Sequence, residues 1–247
     1  MQTVTLSRAR SYVAALDLPP PPRTRGPESP PPDPSAAALA VGPNLVEFAD
    51  GADPSLRRAM TDALLLAQLA ADKAEVATPD AWYAAHHGVL TRIGFRSSGL
   101  TRTTQDFSSS DADLHEAILP VITAAFAGAA VPAIVMATLE QLSAASEDRP
   151  WIRLFERESR RFSARQFQVT MVEGDASAQT VNMLGFALDI VQEQAQILFF
   201  RHARDTASVG RIEGHFSAGN AALADIAPDL AAKLAERRHA YLAALEI

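Results

Sequence analysis

The chain has no cysteine, which excludes disulfide frameworks, thiol nucleophiles, iron–sulfur clusters and zinc sites built on thiolate. It has little lysine: Lys73 and Lys233 are its only two. Neither follows a glycine-rich loop, so no Walker motif exists, and neither has the setting of a Schiff-base lysine. Basic charge is short overall, with 22 basic against 29 acidic side chains and a net charge of −7. That balance excludes a nucleic-acid partner bound through its backbone, which needs a basic surface. The GxGxxG fingerprint and HExxH are missing, and the glycines at 94 and 99 have the wrong spacing for a GxSxG elbow. His86 and His87 are neighbours and point about 100° apart on a helix. His87, His115 and His215 have no spacing that marks a metal site. No catalytic residue, metal ligand or cofactor is assigned from the sequence. Carboxylate pairs drawn from the 29 acids leave an unrecognised hydrolase as one alternative.

What is present is uneven. The 247 residues are enough for a well-buried core, although the 48% hydrophobic content includes 48 alanines, each bringing little apolar area. Nine of the 16 prolines fall in Pro19–Pro34. Proline fixes φ, lacks an amide hydrogen and bars its predecessor from the helical region, so this run predicts an extended, semi-rigid spacer. Ahead of it, Val4, Leu6, Tyr12, Val13 and Leu16 make residues 1–18 apolar enough to dock, with Ser7 as a cap for a helix over 8–18. Arg8, Arg10 and Asp17 interrupt the segment, so it has no signal-peptide core. The chain is expected to be cytoplasmic, or exported without a classical signal peptide.

The remainder, 35–247, reads as one α+β domain. Asp53-Pro54 and Thr78-Pro79 are helix starts followed by apolar residues at helical spacing, and Gly94 is a helix stop. Helices are expected over 53–146, with Arg96–Ser110 as a loop or edge strand. After Arg149 the period shortens. Phe167, Val169 and Met171 alternate with polar residues, and Met183–Ile190, Ile197–Arg201 and Arg211–Phe216 are further strand candidates. Gly185 predicts a bulge or a close approach of another backbone. The expectation is an antiparallel sheet of four or five strands over 150–217, under the N-terminal helices. A final helix over 220–246, broken near Pro228, closes the fold.

Two segments carry further functional weight. Ala117–Leu139 has no charge over a length that spans a bilayer. Its two prolines, its alanines and its acidic flanks favour a buried helix pair instead. In Arg149–Arg165, the arginines at 149, 153, 157, 161 and 165 recur every fourth residue beside Trp151. Such a stripe suits phosphate or carboxylate groups, or it is a salt-bridged surface. The leading expectation is a non-enzymatic interaction protein, tethered through residues 1–18 to a protein partner or larger assembly. The alternative is a membrane-active or lipid-binding protein that uses 117–139 and the arginine patch.

Overall fold

The computed structural model describes residues 4–21, 36–49, 51–74, 76–107, 121–126, 150–159, 165–189 and 207–245. Helix α1 (Leu6–Ala15) precedes a hairpin of β1 (Ala38–Val41) and β2 (Asn44–Phe48). A 3₁₀ turn (Pro54–Leu56) leads into α2 (Arg57–Lys73), followed by α3 (Pro79–Arg92) and β3 (Arg96–Phe107). Then come α4 (Pro150–Ser159), β4 (Arg165–Gly174), β5 (Ala178–Asp189) and β6 (Ala207–Gly219). The chain finishes with α5 (Asn220–Leu234), α6 (Arg238–Tyr241) and β7 (Leu242–Ala244).

Local chemistry sets several boundaries as expected. The Asp53 carboxylate accepts from Ser55 N–H at 2.9 Å, and the Thr78 hydroxyl accepts from Ala81 N–H at 3.3 Å. Each satisfies a first-turn donor ahead of a helix-starting proline. Gly94 takes φ 109° where α3 ends, a conformation that favours glycine.

The seven strands lie in the order β3-β6-β5-β4-β2-β1-β7. This corrects the expected antiparallel sheet of four or five strands. β2 runs parallel to β4, with Asn44 opposite Gln168 and Phe48 opposite Val172, so the sheet is mixed. Strands also precede the helices that begin at residue 53: Gly42, at φ 55°, turns the chain between two short strands that are buried on both faces. Such runs show no alternation to read. Of the two readings expected for 96–110, loop or edge strand, Arg96–Phe107 takes the second: among the described residues it pairs only with β6. Residues 150–159 are helix rather than sheet. The closing helix passes through Pro228 and ends at Leu234, and the chain then returns as β7 against β1. Ile197–Arg201 and most of 117–139 lie outside the described residues.

Helices cover both faces of the sheet. On one face α1, α2, α3 and α5 pack over Val41, Val46, Phe48, Val181, Met183, Ile212 and Phe216. On the other, α4 and the helical turn at 121–126 pack over Leu45, Phe167, Val169, Met171, Leu184 and Phe186. There Phe155, Phe167 and Phe186 form a stack, with successive ring centroids 5.9 and 4.8 Å apart. Gly185 meets a side chain rather than the backbone expected: the Tyr83 ring occupies the space a Cβ would need.

Candidate functional site

The N-terminal helix lies on the body. Its start is Leu6 with Thr5 as the preceding cap position, two residues earlier than the Ser7 cap implies. Val13 is 1% exposed, while Val4, Leu6, Tyr12 and Leu16 are half-buried and pack against the same core. All five predicted docking side chains therefore rest on this chain's own surface. The polar ties run mainly to α5 and the turn after it. Arg10 Nε meets Asp229 Oδ2 at 3.1 Å, and its Nη2 donates to Asp225 O at 3.0 Å. Lys233 Nζ donates to Ala14 O at 3.0 Å, and Arg237 Nε to Pro19 O at 3.0 Å. From α2, Lys73 Nζ reaches Asp17 Oδ2 at 3.4 Å. The Arg92 guanidinium stands 5.5 Å from the Tyr12 ring centroid, within reach of the ring's negative face. Both lysines of the chain thus hold the N-terminal segment, a pattern that their unremarkable sequence contexts did not reveal.

These ties are individually weak. Arg10 and Asp229 are 49% and 33% exposed, and an exposed ion pair contributes about 0–1 kcal/mol. Burying Val13 contributes roughly 1.5–3 kcal/mol. The ordering entropy of the segment opposes both. The result is a helix that gives only Ala9 and Val13 to the core and otherwise lies on the surface.

Beside α1 is a cavity of about 320 Å³. Val4, Leu6 and Ala9 form one wall, Ile93, Gly94 and Arg96 another, and the β6–α5 junction with Ser217 and Asp225 the rest.

The arginine patch is divided by the fold. Arg153 and Arg157 are exposed on α4, whereas Arg165 opens β4; Arg149 and Arg161 lie outside the described residues. Arg153, Arg157 and Arg165 therefore share no single helical stripe. Arg157 Nε bonds Glu158 Oε1 at 2.7 Å, and its Nη2 donates to Ala240 O at 2.8 Å, which is structural pairing. Trp151 is 3% exposed and turns with Ile152, Leu154 and Phe155 toward the sheet, where Ile122 and Phe126 join them.

A polar constellation inside the helix-covered face has no counterpart in the sequence reading. β4 turns Phe167, Val169 and Met171 to one face, so Gln166, Gln168 and Thr170 must point to the other. That face lies under the helices, and all three residues are buried. Thr170 Oγ1 donates to Asn44 Oδ1 at 2.9 Å, and Tyr83 Oη to Phe167 O at 3.0 Å. Burial pushes the Tyr83 hydroxyl well above its ordinary range, with the nearby polar side chains of Gln166 and Gln168 opposing the shift. His86 stacks on Trp82 at 5.3 Å, and Trp82 Nε1 donates to Asp72 Oδ1 at 2.7 Å. Desolvation, assisted by neighbouring His87, pulls the His86 imidazole down to about 3. His86 Nδ1, Gln168 Nε2 and Gln166 Oε1 have no hydrogen-bond partner among the described residues. His87 is held separately, with Nε2 2.7 Å from Ser97 Oγ, and His215 Nδ1 is 2.9 Å from Asn182 Oδ1. Among the described residues no cluster of three His, Asp or Glu side chains is placed to hold a metal ion.

No protein-family model matches the chain, and neither does any curated protein. Solved structures that are similar at low sequence identity include the following two. The Evf virulence factor is 12% identical with a TM-score of 0.38, over 79% of this chain and 81% of that one. A delta-endotoxin is 10% identical with a TM-score of 0.28, over 81% of this chain and 89% of that one. Likenesses this distant carry nothing about activity to this chain.

Proposed function

We propose that the chain is a non-enzymatic interaction protein. Its α+β body joins a larger assembly through residues 1–18, with residues 19–34 as the spacer, in the manner of a carried cargo or effector. The supporting observation is the form of α1. It is a short helix with an apolar side, Val13 at its centre and Arg10 beside it, seated on a helical surface through weak, half-exposed ties. A helix of this kind docks into an apolar groove on a partner by the same residues. Removing residues 1–34 tests the reading. Co-purification with the partner should be lost, while the melting temperature falls by about 4–12 °C, as expected for a loss of roughly 2–3 kcal/mol from a domain of this size. A body that no longer folds would make the segment structural and end the proposal.

A second reading has one specific observation behind it. Residues 121–126 of the uncharged stretch and the arginine-bearing helix lie on the same face of the sheet, through Ile122, Phe126, Trp151, Ile152 and Phe155. Helix α4 buries that apolar side and leaves Arg153 and Arg157 exposed, the division of an interfacial amphipathic helix. Among the described residues no helix is long and apolar enough to cross a membrane. Flotation with anionic liposomes at low salt decides it: a chain that stays at the bottom of the gradient is not a lipid binder. The hydrolase alternative draws no catalytic set from the cavity beside α1, where Ser217 and Asp225 have no histidine among the described lining residues.

A further inference from the structure

We infer that the cavity beside α1 is a binding site for a small zwitterion with an apolar side chain, a free amino acid or a dipeptide, and that filling it holds α1 on the body. The site stands independently of the interaction reading above, and its regulatory meaning rests on that reading.

The lining sets the chemistry of the ligand. A volume of about 320 Å³ is at the lower end of the roughly 300–1,000 Å³ of small-molecule sites, which suits a ligand of one or two residues. Val4, Leu6 and Ala9 join Ile93, Ala178 and Ala222 around it, so an apolar side chain seated there leaves water. The charged members of the described lining are one cation and one anion, Arg96 at the start of β3 and Asp225 on α5. They do not pair with each other, and among the described residues neither side chain has an ion-pair or hydrogen-bond partner. Their neighbours differ: Arg10 meets Asp229, one turn along α5 from Asp225, and Lys73 meets Asp17. A ligand of a single charge would meet only one of the two free groups. A zwitterion meets both: its carboxylate accepts from the Arg96 guanidinium, whose paired N–H groups match a carboxylate, and its ammonium donates to the Asp225 carboxylate. The Ser217 hydroxyl adds a neutral donor and acceptor.

Val4, Leu6 and Ala9 belong to the N-terminal segment, and the rest of the lining belongs to the body. A ligand in the cavity therefore touches both, and it binds the docked arrangement of α1 better than the released one. A ligand that prefers one state shifts the balance toward it. In the interaction reading the same segment leaves the body to reach its partner, so ligand and partner compete for α1, and the chain joins its assembly when the ligand is scarce.

Calorimetric titration of the purified full chain with L-leucine, L-phenylalanine and leucyl-leucine tests the site. At least one should bind with a Kd below about 1 mM, and no heat from any of the three at about 10 mM overturns the inference. The N-acetyl and C-amide forms of the ligand that binds each lack one charge and should bind about tenfold weaker. Arg96→Gln and Asp225→Asn should weaken binding to a similar extent, and an affinity unchanged in either variant overturns the two-charge site. Ala222→Phe, at an exposed position of α5, fills the space without altering either charge. It should abolish binding and leave the melting temperature of the free chain nearly unchanged, and binding that persists places the ligand elsewhere and ends the inference. Hydrogen exchange reads the hold on α1. With ligand at about ten times its Kd, amides of α1 that exchange by release of the helix should slow about elevenfold. Binding that leaves their exchange unchanged overturns the inference. No other protein enters these measurements, so their failure leaves the co-purification test of the docking segment intact.

Discussion

Helices α1 and α2 lie on the same face of the sheet, yet they belong to it differently. Helix α2 is buried without a break from Ala59 to Leu69 and again at Ala71, so it is surrounded on all sides. Helix α1 buries Ala9 and Val13 alone. Helix α2 is even fastened from its polar side: Asp62, 2% exposed, receives Arg238 Nε at 2.6 Å and Nη2 at 2.5 Å, and Arg238 is itself 13% exposed. The corresponding pair of α1, Arg10 with Asp229, is open to solvent. A fold can therefore hold one helix as framework and another as an attachment while both contribute to one apolar cluster.

Mutations should separate the two helices, and the largest effect belongs to α2. Asp62→Ala leaves the Arg238 guanidinium buried without its carboxylate, and a loss of about 3–5 kcal/mol is expected by denaturant titration. An effect below about 1 kcal/mol would place that pair with the surface ones. Acid should come next. Native His86, held down to about 3, binds fewer protons than the unfolded chain, whose histidine titrates near 6.5. Its contribution is therefore intact above about pH 6.5 and is lost progressively as pH falls toward 3, by about 2 kcal/mol at pH 5. The groups facing it are the Trp82 ring and the His87 side chain. His86→Phe should flatten that part of the pH–stability curve, and an unchanged slope would show that other groups set it. Smaller still, Val13→Ala should cost about 1–2 kcal/mol and raise proteolytic cleavage between residues 22 and 35. Smallest is Arg10→Ala, within about 1 kcal/mol and weaker as salt rises. A Val13→Ala loss as large as that of Asp62→Ala would erase the distinction between framework and attachment.

What could be read in advance was local. The caps at Asp53 and Thr78, the stop at Gly94 and the alternation of β4 are each decided by neighbouring residues, and each appears where expected. The pairing of β2 with β4 could not be read, because it joins segments more than a hundred residues apart in the sequence and neither carries a local mark of the other. Alternation in β4 gave the strand but not its setting: Gln166, Gln168 and Thr170 suggest a wet face, and the helices cover it. The five apolar residues of the first segment were visible, whereas the surface that receives them is assembled from α3, α5 and the end of α2. Only the fold shows that Lys73 and Lys233 serve the same element.

The place of β7 has a consequence for biosynthesis. β1 finds one neighbour immediately, in the hairpin with β2, but its other edge is zipped to Leu242–Ala244, nearly the whole chain away. During translation that flank stays bare until residues 242–244 have been synthesised. Long-range pairings of this sort slow folding and leave intermediates prone to aggregate. A ribosome-bound nascent chain stalled before residue 242 should therefore recruit chaperones that the released chain no longer needs.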